Sequence, residues 1–533
     1  MPLACGLVGA ALVLWVSWPA AGRELPLDDA VHLGVYGQQN SGLPLWRIAA
    51  LPHWQSQAED SLWRPIPKIL WAQLGSLERT GLGAWAVTGV LAGLVCLALA
   101  SIFHRAAPQA APRWPLAAIA ILPVVHGLSA DVVLPFVGQA DLLAAVFLLG
   151  AVRSLLARRP RLRWLAAPFL FAAFLCKEST FPAVFFLPVA VMLREDKPSW
   201  REVAAVAAAS VVLLASRFAL QVLVLGAWQA PAGAAGSRFV GGERSVSFFE
   251  LAGRYAAGIV FPVSAPQTDY SFLKQPGSEA GLWPFAGVLA LIVWAAVAGS
   301  AFRSWAKRGN RAAGLTATGA VGMALFLGPY AGVLPMGAIW AGRFVFLSLI
   351  CFSMVLAGAS IWVGDRRFKW SICSYATLLA LWGGFLVAAR APDWKGPEEL
   401  WTAEVQREPN HAFAWKNRAA LYQESGDVTL ALEAIRRSVE LWPSFGEGHL
   451  AHGQIARGAG RPAEAEAAFA RAAALLPADF VPLLRERALF LASRGNFEEA
   501  QIVLQAWIEV EPESERAAEL LRRVERDREA GRP

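Results

Sequence analysis

The chain contains no Cys-x-x-Cys pair. Its five cysteines, Cys5, Cys96, Cys176, Cys351 and Cys373, all lie in or beside apolar stretches. That excludes a disulfide framework and a zinc ribbon, and leaves small hydrophobic residues of helices. Charge is scarce as well: 17% of residues are charged and 56% are hydrophobic, a balance foreign to ordinary soluble domains. The net charge of +7 does not point to nucleic acid, because many basic residues occupy short loops between apolar runs and form no patch on a soluble face. No Lys or Arg precedes the first apolar run, which argues against a cleaved signal peptide. Leu-Ala-Cys-Gly at 3–6 resembles a lipobox but comes before that run instead of ending it.

What the chain does contain is length and apolarity in blocks. Roughly the first 390 of its 533 residues are apolar and Trp-rich, and the remainder is rich in Ala, Glu and Arg with helical periodicity. A bilayer span needs about 20 apolar residues. Candidate spans are 4–22, 84–103, 115–135, 138–157, 164–176, 181–193, 202–226, 281–302, 312–334, 339–363 and 370–390. The fifth and sixth are short and read either as a re-entrant pair or as two spans with polar ends. Loops 104–113, 158–163, 193–201, 303–311 and 365–369 are short and basic. They alternate with loops of much lower basic density at 23–83, 126–137, 227–280 and 331–338. The positive-inside rule then puts the N-terminus inside and the C-terminal part outside.

The C-terminal part is periodic. Pro409, Pro443, Pro477 and Pro512 recur at intervals of 34, 34 and 35, with Gly426, Gly460 and Gly495 and with Ala431, Ala465 and Ala500 in step. Trp415 and Tyr422 fall where the first helix of a tetratricopeptide repeat places them. About three units are expected, each burying its face only against neighbours, followed by a polar capping helix. His449 and His452 lie three apart there but have no third ligand in sight, so they read as surface histidines.

On the expected topology, acidic residues gather at the outer side. Asp28 and Asp29, in "LPLDDAVHLG" (25–34), open the first outer loop. Crowding disfavours ionising both equally. Asp131 and Asp141 flank the next outer turn, in "HGLSADVVLPFVGQADLLA" (126–144), which His126 begins. Lys177 and Glu178 interrupt an apolar run in "FLCKESTFP" (174–182). Arg64 sits between Trp63 and Pro65 in "SLWRPIPKILW" (61–71), an amphipathic stretch suited to the interface plane. Arg343 starts a late span in "GAIWAGRFVFLSL" (337–349). Ionisable groups near membrane depth are expensive and usually functional. Their structural alternatives are an interfacial ion pair for Lys177–Glu178 and a head-group anchor for Arg343.

Taken in order, "LDD" after the first span, "WRPI", H-x4-D-x6-G-x2-D-L-L-A, "CKES" and "AGRFVFL" resemble the motifs of one family. These are the multispan O-mannosyltransferases with C-terminal tetratricopeptide repeats and their bacterial relatives, within the GT-C glycosyltransferase fold. The likeness runs along nearly the whole chain. Five positions depart from it: Gly127 stands where the family usually has Pro, Asp131 where it has Glu, Gln139 where it has Arg, and Gly342 and Phe344 where Glu and Tyr flank the Arg.

The resemblance implies an all-α protein: a polytopic GT-C-like domain of about 11 spans over 1–390, a linker over 391–408, and a tetratricopeptide-repeat α-solenoid over 409–533. It implies an inverting transfer of a sugar, mannose in the family, from a polyprenyl-phosphate carrier to an acceptor hydroxyl of protein Ser or Thr. The implied setting is the outer face of a bacterial inner membrane. Asp28 or Asp29 would be the base, Asp131 and Asp141 would orient hydroxyls, and Arg64, Lys177 and Arg343 would hold the lipid phosphate. His126 and Glu178 complete the expected substrate-binding set. No resident metal is called for, since basic residues can neutralise a monophosphate. The expected partners are the lipid-linked donor, the bilayer, a secreted or membrane protein acceptor, and a protein in the repeat groove. Two other readings fit the same residues: a polysaccharide ligase or polymerase, and a non-catalytic scaffold displaying the repeats. A transporter fits less well, because its charges would lie at the midplane.

Overall fold

The structure is a computed structural model, and it describes residues 1–21, 43–51, 63–77, 82–106, 113–196, 198–225, 246–263, 280–330, 341–512 and 514–529. Every secondary-structure element among these is helical. They form two compact units, one running to Leu400 and one starting at Trp401.

In the first unit the principal helices are α1 (Pro2–Val16), α2 (Pro65–Leu77), α3 (Leu82–Ala106), α4 (Arg113–Val125), α5 (Gln139–Leu155), α6 (Ala166–Cys176) and α7 (Ala183–Val191). There follow α8 (Trp200–Leu225), α9 (Phe248–Val260), α10 (Trp283–Arg308), α11 (Arg311–Leu327), α12 (Phe346–Trp362) and α13 (Arg366–Arg390). Among the described residues seven segments are long and apolar enough to cross a membrane, and an eighth, Trp114–Val125 with Gly127–Val133, is bent by 44° at its break. The chain thus has the marks of a membrane protein. The sequence pattern suggests about 11 spans, and the difference lies in short helices. The first helix has 15 residues, and α6 and α7 have 11 and 9. At 1.5 Å per residue α6 and α7 rise about 16 and 14 Å, roughly half of a bilayer core. Between them the chain turns at Lys177–Thr180.

Small residues set the closest helix contacts, as expected where no hydrophobic drive separates helix from lipid. A Cβ on Gly93 of α3 would lie 2.7 Å from the Gly6 carbonyl oxygen of α1. One on Gly319 of α11 would lie 2.6 Å from the Cys351 carbonyl of α12. The peripheral helices behave differently. The apolar windows of α8 and α10 are only 11% buried, against 78% for Gly342–Trp362, so their apolar faces are left to lipid. The buried residues of α8 are Ser210, Arg217 and Gln221, all polar and all turned to the protein.

The stretch 391–408, read from sequence as a linker, is helical: a 3-10 segment (Ala391–Lys395) leads into α14 (Pro397–Arg407). The second unit continues with α15 (Ala412–Glu424), α16 (Val428–Leu441), α17 (Gly446–Gly458), α18 (Pro462–Leu475), α19 (Val481–Ser493), α20 (Phe497–Val510) and α21 (Glu515–Glu529). Helices pair as α15–α16, α17–α18 and α19–α20, and each pair packs on the next. The turn inside each pair uses Gly426, Gly460 or Gly495, at φ of 83°, 68° and 74°. Only glycine takes that left-handed backbone without strain, which explains why glycine recurs at each of these turns, 34 and 35 residues apart. Ala431, Ala465 and Ala500 are fully buried where the paired helices meet.

Candidate functional site

One cluster of charged side chains is buried in the first unit. Its centre is the turn between α6 and α7. Cys176 ends α6 in an apolar environment, and Lys177 then adopts an extended backbone (φ −163°) that carries its side chain off the helix line. Lys177 pairs with Asp141 in the first turn of α5, and both are buried. The neighbouring Glu178 accepts from Arg64, just before α2, with Nη2 at 2.7 Å and Nε at 2.8 Å from Oε2. Nε and Nη2 of the planar guanidinium thus converge on one carboxylate oxygen, an arrangement the single ammonium of a lysine could not make.

Glu178 has a second cation. Arg217 of α8, 2% exposed, has Nη2 3.8 Å from Glu178 Oε1. The same guanidinium donates to the Trp63 carbonyl at 2.8 Å and to Gln221. The rings of Trp63, Phe181 and Phe218 surround it, with centroids 5.5, 5.4 and 5.3 Å from its carbon. Stacked rings take up the weakly hydrated guanidinium better than they would an ammonium. Arg217 therefore ties α8 to the segment carrying Arg64 and to the turn carrying Glu178.

A second pair of elements brings in the late motif. The backbone N–H of Gly342 donates to Asp131 Oδ2 at 2.9 Å across 211 residues. A Cβ at Gly342 would lie 2.5 Å from the Leu128 carbonyl and 2.8 Å from that Asp131 oxygen, so a side chain there would break the contact. This is the physical reason for glycine before Arg343. Arg343 follows at once, half-buried, over the Phe344 ring at 5.8 Å. Phe344 stacks on Tyr330, with centroids 4.4 Å apart and planes 9° off parallel. Arg343 and Arg64 both act electrostatically on Lys177, and Asp141, Glu178 and Arg64 act on Tyr330. Among the described residues, Arg343 has no carboxylate partner.

The expected set thus divides. Arg64 meets Glu178, Lys177 meets Asp141, and Asp131 meets the backbone N–H before Arg343, whose charge acts on Lys177. Asp28 and Asp29 lie outside the described residues. His126 is buried close by but engaged with backbone: its Nδ1 accepts from the Leu128 N–H at 3.2 Å, which leaves Nε2–H to donate to the Ile259 carbonyl at 3.0 Å. Both ring nitrogens are engaged with backbone, so His126 fixes the end of α9 against the bend after α4. Gln139 is likewise internal, its amide donating to the Ala84 carbonyl and to Thr88 Oγ1 at 2.7 and 3.1 Å. Gly138 is required by proximity, since a Cβ there would fall 2.2 Å from the Val132 carbonyl.

One member of the cluster escapes the motif reading. Arg217 is the sole charged residue in the apolar stretch 203–225 of α8, and that isolation is its signal.

The arrangement gathers cations around a buried carboxylate set with a stacked aromatic wall. Such a site can hold an anionic group and hydrogen-bond hydroxyls beside it. Among the described residues no group of three or more His, Cys, Asp or Glu has metal-site geometry. No known protein-family model matches the chain, and no curated protein matches it.

Proposed function

We propose that the first unit is an inverting GT-C-type glycosyltransferase. It moves a sugar, mannose in the family it resembles, from a polyprenyl-phosphate carrier to a Ser or Thr hydroxyl of a protein acceptor outside the membrane. The observation that carries this reading is Arg343: a half-buried arginine whose charge acts on Lys177, with no carboxylate partner among the described residues. A half-buried cation of that kind favours an anionic occupant, and a lipid monophosphate supplies one.

The chemistry needs few groups. The acceptor oxygen attacks the anomeric carbon as a carboxylate, Asp28 or Asp29 by the motif, takes its proton. The bond from that carbon to the phosphate oxygen breaks, its electron pair leaves with the lipid phosphate, and the anomeric centre inverts. The leaving group needs cations more than an acid. Arg343 meets it, and Lys177 and Arg64 reinforce the field from their pairs with Asp141 and Glu178. Asp131 and Asp141 orient hydroxyls. Arg217 positions Glu178, and His126 positions the surrounding backbone. The orientation rests on the basic loops, which put this cluster outside and the opposite helix ends in the cytoplasm of a bacterial inner membrane.

The second unit is read as a tetratricopeptide-repeat solenoid, supported by its three helix pairs and its left-handed glycines at a 34-residue period. Its groove suits a polypeptide, either the acceptor or a partner that delivers it. A second reading, a non-catalytic scaffold, draws on the internal pairing of Lys177 and Glu178, since buried ion pairs also fix helices in register. Mass spectrometry of secreted and periplasmic proteins, with and without the gene, separates the two. Loss of hexose from Ser or Thr sites supports the transferase, and an unchanged glycan pattern rejects it.

A further inference from the structure

Four of the five basic loops converge at the helix ends remote from the charged cluster. Arg105, at the end of α3, donates to the Leu156 carbonyl that closes α5. Arg153 of α5 donates back to Ser101 of α3 at 2.5 Å. Glu195, after α7, is shared by Arg158 at 3.3 Å and Arg311 of α11 at 3.2 Å. Arg194 pairs with Asp196 and Glu202, and Arg163 also reaches Asp196. Six arginines therefore stand against three carboxylates among the described residues.

The excess charge surrounds a pocket. Arg105, Arg194 and Arg311 line it together with Glu195, and its floor is apolar, made by Ile102, Leu193 and Leu315 among others. The Arg311 Nε is buried and has no acceptor among the described residues. Among the described residues each carboxylate nearby already serves two arginines or accepts from Arg194, and Arg105 feels Glu195 only alongside the like charges of Arg153, Arg158 and Arg311.

We propose that this pocket binds the phosphate of an anionic phospholipid from the leaflet on the basic-loop side. Charge asks for an anion, and planar guanidinium forks match phosphate oxygens. The apolar floor, at the ends of membrane helices, distinguishes a lipid from a soluble phosphate: it receives the first methylenes of acyl chains while the arginines hold the head group. Basic pockets between membrane helices bind acidic lipids in this way. The site is independent of the proposed transferase cluster, which lies at the other ends of α5 and α6.

The test is native mass spectrometry of the full-length protein with phosphatidylglycerol and with phosphatidylcholine of the same acyl chains. The parent should retain phosphatidylglycerol preferentially. Arg105→Gln with Arg311→Gln should lower that retention about thirtyfold, and Arg311→Gln alone about fivefold. Arg367→Gln, an exposed arginine at the start of α13, should leave it unchanged. Because Arg105 also caps α5, a melting measurement accompanies each variant, and the single Arg311→Gln protein decides if the double variant is unstable. Equal retention of the two lipids overturns the proposal, as does an equal loss in Arg367→Gln. Full displacement of the lipid by millimolar inorganic phosphate overturns the lipid assignment, because it makes the acyl chains irrelevant.

Discussion

Arg64 and Glu178, 114 residues apart, meet through two N–H···O contacts of 2.7 and 2.8 Å and lock the segment before α2 to the turn between α6 and α7. The side chains are 15% and 21% exposed, so the pair is mostly removed from water. Replacing Glu178 with Gln removes the negative charge that Arg64 and Arg217 share. The expected loss is about 3 kcal/mol of stability, because the cost is that of uncompensated buried charge. Thermal unfolding in lipid nanodiscs measures it, and a melting temperature equal to the parent's would show the pair to be dispensable.

Arg217→Lys keeps the charge but loses the fork. It gives up the stacking on Trp63, Phe181 and Phe218 and the fixed contact with the Trp63 carbonyl. A loss of about 1–2 kcal/mol is expected, from cation–π contact and packing together. Trp63 fluorescence, compared with a Trp63→Phe reference, should shift as the box loosens. An unaltered spectrum argues against the box.

Gly342→Ala places a methyl 2.5 Å from the Leu128 carbonyl and 2.8 Å from Asp131. Overpacking of that kind costs about 1–3 kcal/mol. It also displaces Arg343, so transfer should fall even in protein that remains folded. Retention of the parent's activity by a folded Gly342→Ala protein would separate Arg343 from the Asp131 contact.

In the repeat unit, Glu464 of α18 accepts from Arg436 of α16 through Nε and Nη2, both at 2.8 Å, and from His452 of α17 at 2.8 Å. Burial works to raise the Glu464 carboxyl, but the hydrogen bonds from His452 and Arg436 outweigh it and hold it below its ordinary 4.5. A carboxyl depressed by folding contributes stability above its unfolded pKa and loses it as pH falls through the folded one. Protection from hydrogen exchange across residues 428–475, relative to the intrinsic rate at each pH, should therefore fall below about pH 4.5. Glu464→Gln should exchange faster at neutral pH and show a flatter response to acid.

Gly426→Ala, Gly460→Ala and Gly495→Ala each force a side chain into left-handed backbone. Each should cost about 1 kcal/mol, through strain and not through lost contacts, since a Cβ at Gly426 or Gly460 would meet nothing within 4 Å. Local exchange at the affected turn reports it. Equal protection in parent and variant would contradict the left-handed assignment.

These sites differ in how far the sequence discloses them. The repeat glycines are legible because one local requirement, a left-handed turn, recurs at a fixed spacing. The Lys177–Glu178 turn is legible because two charges interrupt an apolar run, and an apolar helix does not tolerate them without partners. Arg217 carries the same kind of signal in weaker form, a single charge in the apolar stretch 203–225 of α8, and its partners outside that helix lie on two distant segments, at Trp63 and at Glu178–Phe181. His126 shows the limit: its partner is the backbone carbonyl of Ile259, 133 residues on, and a carbonyl leaves no trace in side-chain pattern. Span number is also poorly legible, because hydropathy does not distinguish two half-length helices such as α6 and α7 from two crossings.

The most direct test of the central claim is transfer from labelled polyprenyl-phosphate mannose to Ser/Thr peptide acceptors by the purified full-length protein. The parent should transfer. Arg343→Ala should fall about 100-fold or more while remaining folded, as expected for a lost contact to a developing anion. Asp28→Asn and Asp29→Asn, tested singly and together, should include at least one loss of about 100- to 10,000-fold. No transfer by the parent, or transfer at the parent rate by all these variants, would contradict the account.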